Sequence, residues 1–206
     1  AYLLGDEYLP IKKRVEVIKV KNGKDFIDTI HETSIGPIVY DKKFGSFDDQ
    51  KGLAMHWLAL SPSNEMITFY HLNKAKNHDD YLAALEHYET PGQNFVFGDI
   101  NGNVAIKNQG KFPALKKDEG RFIQPLEKID LERINDFIPT NQNPHIYNPT
   151  RGFVSSANQQ PTDSTYPYYY TGQFEHYRNR RINQVLDSLD DICLLYTSPS
   201  PRDDIS

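Results

Sequence analysis

The stretch 94–113, NFVFGDINGNVAIKNQGKFP, carries the strongest local structural signal in the chain. Apolar and aromatic residues dominate 95–100 and 104–106, and the dipeptide Asn101-Gly102 stands between them. Both residues of an Asn-Gly pair adopt positive φ at low cost, so the pair is typical of a tight turn between two antiparallel strands. The stretch therefore predicts a β-hairpin with strands at 95–100 and 104–106.

Composition and charge exclude several classes of protein. The 206 residues are 38% hydrophobic, 25% charged and 12% aromatic, which excludes a disordered or collagen-like chain. A net charge of −5 gives no reason to expect a nucleic-acid partner. No apolar run approaches the ~18 residues of a transmembrane helix, so we expect no membrane partner. The single cysteine leaves no internal disulfide framework and no cysteine-based zinc site.

Short apolar runs before the hairpin indicate further strands. They lie at 14–20, from Phe26 onward, at 38–40 and at 53–60. The first run alternates apolar and polar residues, the pattern of a half-buried strand. Asn22-Gly23 follows it and supplies the residues of a type I′ turn. The charged residues 41–51 predict a loop, and Ser61-Pro62 ends the last strand.

Two segments carry helical patterns. Asn77 is a suitable N-cap, with acidic residues in the first turn after it and apolar residues at helical spacing up to Tyr88. Thr90-Pro91-Gly92 is predicted to end this helix. A second helix is predicted from about Phe174 to Leu189, whereas 110–176 is rich in Gly, Pro, Asn and Tyr and predicts irregular chain. The order of elements favours an α+β fold built on antiparallel sheet.

Few residues outside one polar segment suggest chemistry. None of the seven histidines forms an HExxH motif or a close metal-binding pair in sequence, so each is interpreted as a strand, helix-surface or loop residue. Spacing alone leaves a Ser-His-Asp triad open, but no GxSxG motif marks its nucleophile. Asp99 begins DINGN, which resembles a calcium loop but lacks the glycine and closing glutamate of an EF-hand. We interpret DINGN as a turn.

The segment 152–161, GFVSSANQQP, is the exception. Its apolar start predicts a short strand, and the polar residues up to Pro161 follow at the strand end. An asparagine there, Asn158, could present its uncharged NH₂ group to a developing oxyanion. The alternative is that this side chain satisfies local backbone groups.

Four blocks of the sequence resemble the penicillin acylase family. YNPTRGFVSSANQQP (147–161) resembles the family's NP, Gly-aromatic and Asn pattern, and 94–113 resembles its "ADxxGNIGYxxxGxxP" hairpin. Residues 52–85 resemble its strand-then-helix block, and YRNRRINQVL (177–186) resembles its closing helix. The blocks occur in the family's order, and together they cover roughly residues 2–189.

This resemblance implies an α+β fold, part of the four-layer αββα sandwich of the N-terminal nucleophile hydrolases, with antiparallel sheets. It also implies a precursor cut autocatalytically into two chains, the second of which begins with a nucleophilic serine whose α-amine is the base. The present sequence resembles the interior of that second chain. The resemblance therefore implies that the serine, the backbone half of the oxyanion hole, the α chain and the remaining β chain lie elsewhere, and that the fragment alone is inactive.

Two catalytic positions carry over from the family. Asn158 matches the asparagine of the oxyanion hole. Arg178 matches an arginine near the active site that orients the catalytic network and takes part in maturation. Arg180 and Arg181 compete with Arg178 if the register is displaced.

The resemblance also concerns ligands and location. The implied substrate is a small-molecule amide, such as a β-lactam or an acyl-homoserine lactone, and no cofactor takes part in the chemistry. Many members hold a structural calcium ion, with a backbone carbonyl near Gly120 and a later aspartate for which Asp163 is the nearest candidate. Ser34-Ile35-Gly36-Pro37 departs from the family's His-Gly-Pro, and Gly98 replaces its alanine. The implied location is periplasmic or extracellular.

We divide the chain into residues 1–190, a partial penicillin acylase β-chain domain, and a tail at 191–206. Residues 193–203, CLLYTSPSPRD, resemble a translated sequencing adapter, so we expect the tail to be non-native and give Cys193 no functional weight. A second hypothesis from another class is a non-catalytic extracellular binding module. Its ligand platform would be Tyr168–Tyr170, within the PYYYTG run that otherwise lines the cleft entrance or packs in the fold.

Overall fold

The structure is a computed structural model that describes residues 1–40, 52–130 and 132–189. The predictions of a loop at 41–51 and of a non-native tail at 191–206 with Cys193 lie outside the described residues. The strands are β1 Tyr2–Leu4, β2 Glu7–Leu9, β3 Lys12–Ile18, β4 Phe26–Glu32, β5 Ile38–Tyr40, β6 Leu53–Ala54, β7 Gln93–Gly98, β8 Val104–Gln109 and β9 His145–Tyr147. The helices are α1 Met66–Leu72, α2 His78–Leu85 and α3 His176–Asp187.

The chain forms two units, and all its sheets among the described residues are antiparallel. The first unit comprises residues 1–63 and 122–135 and holds the pairs β1–β2, β3–β4 and β5–β6. The second comprises residues 64–121 and the chain from 136 onward and holds the sheet β7–β8–β9. The second unit also contains the buried apolar side chains Tyr81, Ala84, Leu85, Tyr88, Ala105, Ile138 and Ala157.

The β3–β4 hairpin of the first unit is present as predicted, but its turn and burial differ. Asn22 has φ +60°, whereas Gly23 lies outside the left-handed region, so the predicted type I′ turn is wrong. The amide of Gly23 donates to the carbonyl of Val20 at 3.1 Å within a longer loop. Val15 and Val17 are 61% and 53% exposed, so the alternating pattern does not bury one face here.

The strand predicted at 53–60 is much shorter in the structure. β6 covers two residues and a 3₁₀ turn follows at Leu58–Leu60. The amide of Met55 still donates to the carbonyl of Pro37 at 2.9 Å, but the partner strand β5 begins at Ile38, so the ladder ends near Met55. The helix α1, which the sequence analysis missed, follows in the second unit. Phe69 of α1 packs edge-on against Tyr88, with ring centroids 6.3 Å apart, and such packing stabilises a helix too short to form alone.

The predicted hairpin at 94–113 is the centre of the second unit. β7 and β8 pair from Gln93↔Gln109 to Gly98↔Val104. Gly102 has φ +83°, and the Asp99 carboxylate accepts hydrogen bonds from the backbone amides of Asn101 and Asn103. DINGN is therefore a turn, as predicted.

The helix α2 packs on this sheet. Its first turn is capped by Asn77, whose Oδ1 accepts from the amide of Asp80 at 2.8 Å, as predicted. Leu85 is fully buried, and the hydroxyl of Tyr81 donates to the carbonyl of Phe95. The helix ends at Leu85, earlier than predicted, because the chain turns to pack Tyr88 against Phe95 at 4.9 Å between ring centroids.

α3 lies within the predicted 174–189, but GFVSS at 152–156 is not a strand. Its backbone pairs with no strand of the described chain, and side chains supply its contacts, as described below. No helix among the described residues combines the length and the apolar character needed to cross a bilayer.

Candidate functional site

Asn158 stands on a short loop that contacts β7 on one side and α3 on the other. Its φ is +58°, in the left-handed region that asparagine enters more readily than most residues. Asn158 lines a cavity of about 400 Å³. The other lining residues are Gly92, Gln93, Asn94, Asn108, Ser156, Gln159, Pro161, Tyr170, Gln173 and Phe174.

Arg178 contacts this asparagine directly. The guanidinium of Arg178, on the first turn of α3, donates from Nη2 to Oδ1 of Asn158 at 3.0 Å. Since only the oxygen of a carboxamide can accept from an arginine, the contact fixes the orientation of the amide and leaves its NH₂ group to donate elsewhere. The structure thus brings together the two site residues predicted from the sequence, and it joins Arg178, not Arg180 or Arg181, to Asn158.

Serine and asparagine side chains connect the loop to α3. The hydroxyl of Ser155 donates to Oδ1 of Asn183 at 2.8 Å. The Nδ2 group of Asn183 donates to Oδ1 of Asn179 at 3.0 Å, and Asn179 contacts the Ser155 hydroxyl at 3.4 Å. Asn179 and Asn183 are one helical turn apart, so they present their amides to the loop from the same face of α3.

A second chain of hydrogen bonds connects the loop to the hairpin and to the Tyr-rich run. Asn94 of β7 donates to the hydroxyl of Ser156 at 2.9 Å, and Asn108 of β8 donates to Asn94 at 2.8 Å. The hydroxyl of Tyr170 donates to Asn108 at 2.6 Å. Burial raises the pKa of Tyr170 to about 12, so this hydroxyl keeps its proton at neutral pH. Tyr170 lines the cavity, and its hydroxyl already donates to Asn108.

The described residues that line the cavity are uncharged and mostly polar. None of its described lining residues is Asp, Glu, Lys, Arg or His. Arg178 is the charged group that touches Asn158. A developing negative charge beside Asn158 would therefore meet amide donors and a nearby guanidinium rather than a carboxylate.

The sequence analysis missed the amide and hydroxyl side chains that hold this loop. They are Ser155, Ser156, Gln159, Asn94, Asn108, Asn179 and Asn183. The available signals were the five polar residues of SSANQQ (155–160) and the i, i+4 spacing of the two asparagines on α3. Neither pattern reveals which partners the side chains find in the fold.

The structure gives the surroundings of Asp163, the candidate calcium ligand. The carboxylate of Asp163 accepts from the amide and hydroxyl of Thr165, and these hydrogen bonds lower the pKa of Asp163. The described chain contains no cluster of three or more His, Cys, Asp or Glu side chains suited to a metal ion. The calcium ion and its Gly120 and Asp163 ligands stay predictions.

Two pairs of histidines that are not close in sequence lie side by side in the structure. Nε2 of His78 at the start of α2 lies 3.1 Å from Nε2 of His145 on β9, and the His71 and His87 ring centroids are 5.1 Å apart. Burial, together with the neighbouring His78 and Lys107, lowers the pKa of His145. These pairs join residues that are distant in sequence or on different elements, so motif spacing does not reveal them.

Comparisons with known proteins find one matching family and similar acylases. Residues 1–194 match the family model described as penicillin amidase. Penicillin G acylase from Escherichia coli is 24% identical over 160 residues, which are 78% of this chain and 18% of that protein. A thermostable penicillin G acylase from Alcaligenes faecalis superimposes with a TM-score of 0.72 at 19% identity, covering 95% of this chain and 34% of the other.

The chain thus spans about a fifth to a third of the relatives that it matches. The structural match confirms the predicted fold class, which is α+β with antiparallel sheets and forms part of the fold of a penicillin G acylase. The roles of Asn158 and Arg178 stay predictions. Since the family match extends over nearly the whole sequence, the chain belongs to the penicillin amidase family.

Proposed function

We propose that this chain supplies the oxyanion-binding part of a hydrolase that cleaves the amide bond of N-acylated small molecules. β-Lactams of the penicillin type and acyl-homoserine lactones are the substrate classes that we infer. The nucleophile would be an N-terminal serine outside the 206 residues, generated when a precursor is cut, and another chain of that precursor would complete the site. Such a hydrolase would act in the periplasm or outside the cell. Membership of the penicillin amidase family supports an amidohydrolase.

One observation carries the proposal. Asn158 lines the cavity and its side-chain oxygen accepts from Arg178, so its N–H groups are the part of the amide left to donate to a negative charge. When a serine attacks an amide carbonyl, charge develops on the carbonyl oxygen, and an oriented N–H donor stabilises that charge more than it stabilises the ground state. Arg178 would act as the residue that orients the donor.

The uncharged lining bears on the substrate. An ammonium group in the cavity would find no carboxylate among the described lining residues, and the cation that touches Asn158 is Arg178, so we infer that no positively charged part of the substrate lies there. The alternative binding module gains less support. Tyr168 and Tyr170 donate their hydroxyls to Gln142 and Asn108, so these groups of the proposed platform are already engaged.

The decisive experiment uses Asn158→Asp in the full-length gene product that contains this chain. Aspartate tolerates the positive φ, keeps an oxygen for Arg178 and lacks the N–H donors. Hydrolysis of phenylacetyl and octanoyl amides of a chromogenic amine is measured. We expect kcat to fall about 10²- to 10³-fold.

The matched control is Asn22→Asp. Asn22 also has a positive φ, of 60°, and does not line the cavity, so this variant should keep the parental rate. Failure of the parent to hydrolyse any N-acyl amide would contradict the proposed activity. An active parent whose Asn158→Asp variant is equally fast would contradict the oxyanion role alone.

A further inference from the structure

The side chain of Gln159 folds back across the loop that carries Asn158. Its Oε1 accepts from the backbone amide of Ala157 at 2.7 Å, and its Nε2 donates to the carbonyl of Ser155 at 2.8 Å. Because one partner is a donor and the other an acceptor, the chemistry of the two contacts fixes which end of the carboxamide faces which group. One side chain thus bridges two backbone groups on the N-terminal side of Asn158.

These contacts matter because the loop has no backbone ladder. Across 153–160, no backbone–backbone hydrogen bond is present within the described chain. Ala157 and Ser155 are only 7% and 8% exposed, so water has little access to replace a lost partner. An unsatisfied buried backbone group is costly, and the loop would rearrange to avoid it.

We propose that Gln159 is a positioning residue that holds Asn158 in its left-handed conformation, with its amide against Arg178 and beside the cavity. This inference gives Gln159 a catalytic consequence only if the proposed function holds. The next residue, Gln160, is exposed and contacts Thr162 at 3.3 Å, so it does not share this task.

Few ionisable groups surround the Gln159 side chain. Arg178 of α3 contacts Asn158, and Arg151 and His145 line a smaller cavity of about 180 Å³ that Gln159 also lines. A glutamate in place of Gln159 would therefore meet cations, a titratable histidine and the Ser155 carbonyl. Each variant below is compared with the unmodified chain at the same pH, so the titration of these groups affects both spectra equally.

The test compares Gln159→Glu with Gln160→Glu by ¹⁵N NMR in the full-length gene product that contains this chain. At pH 7 the introduced carboxylate can accept from Ala157 but opposes the Ser155 carbonyl, so the Asn158 side-chain NH₂ and Ala157 amide signals should shift. At about pH 3, more than one unit below the ordinary glutamate pKa of about 4.3, the protonated acid donates to Ser155 and accepts from Ala157. The signals should then return to those of the unmodified chain.

Gln160→Glu should leave both signals in place at either pH. Equal spectra for Gln159→Glu and the unmodified chain at pH 7, or a shift that persists at about pH 3, would overturn the proposal.

A second measurement needs no variant. In the unmodified chain, the Ala157 amide should exchange with solvent more slowly than the Gln160 amide, by roughly fivefold or more for one hydrogen bond. Equal exchange rates for the two amides would contradict the hydrogen bond from Ala157 to Gln159, and with it the proposal, even if Gln159→Glu failed to fold. Neither readout depends on hydrolysis, so loss of the proposed activity would leave both results standing.

Discussion

At the scale of single residues, Asn158 meets two demands that few residue types meet together. Its backbone φ of +58° favours Gly, Asn or Asp. Donation to an oxyanion requires a hydrogen-bond donor, which an ionised aspartate lacks and glycine, without a side chain, cannot supply. Asparagine satisfies both demands, and its oxygen remains for Arg178. Replacing Asn158 by alanine would strain the positive φ and also remove the N–H donors. Aspartate removes the donors and tolerates the φ, so it separates the two effects.

His145 yields a prediction about pH and stability. Burial lowers the pKa of its imidazole, with His78 and Lys107 adding to the effect, so the folded chain favours neutral His145. The unfolded chain binds that proton at a pKa of about 6.5. As pH falls below about 6.5, protons bind the unfolded state first, and the free energy of unfolding decreases. We expect His145→Gln to flatten this decrease, as measured by urea unfolding between about pH 7.5 and 5.

His176→Gln is the comparison for that experiment. His176 is an exposed histidine at the start of α3, and its replacement should preserve the slope of stability against pH. If the free energy of unfolding depends on pH equally in His145→Gln and in the unmodified chain, His145 does not contribute to that dependence.

At the scale of elements, the start of α2 has a cap whose energy can be measured. Asn77 accepts from the amide of Asp80, and the Asp80 carboxylate accepts from the amide of Lys76 at 2.9 Å. Asn77→Ala leaves an amide of the first turn without its partner and should lower the free energy of unfolding by about 1 kcal/mol. Urea denaturation measures this change.

Asn73→Ala tests whether the effect belongs to the cap. Asn73 follows the last residue of α1, where its side chain is exposed and caps no helix start. Its replacement should change stability by less than about 0.5 kcal/mol. Equal losses in the two variants would refute the capping explanation.

The elements also show where sequence patterns fail. The 94–113 hairpin was predictable because its turn chemistry and its partner strand lie within twenty residues of each other. GFVSS at 152–156 has the composition of a strand but finds no ladder partner, so its backbone direction is set by side-chain contacts to β7 and α3. Composition favours an extended chain, whereas only a neighbouring strand makes it part of a sheet.

At the scale of the whole molecule, the first unit exposes apolar side chains that water disfavours. Val15 and Val17 share one face of the β3–β4 hairpin with Ile27, which is directly opposite Val17 and 65% exposed. Exposed apolar strands promote association between chains. We expect the 206-residue chain to self-associate at micromolar concentration in analytical ultracentrifugation.

Val17→Lys combined with Ile27→Glu should reduce that association, because the two charges face each other across the hairpin and replace apolar surface. Met66→Lys removes a 73% exposed apolar side chain of α1 and serves as the comparison. A monomeric, cooperatively unfolding parent chain would contradict the expectation, and so would equal association of the two variants.

The sequence by itself determined what depends on near neighbours: the hairpin, the cap of α2, the extent of α3 and the motif order that identifies the family. Tertiary structure alone decided which distant groups meet. Asn94 and Ser156 are 62 residues apart, as are Asn108 and Tyr170, and His78 and His145 are 67 apart. Local propensity acts over a few residues, whereas a hydrogen bond between distant residues forms only after packing has brought them within about 3 Å. The asparagine could therefore be chosen from its motif, but the contacts that hold it could not.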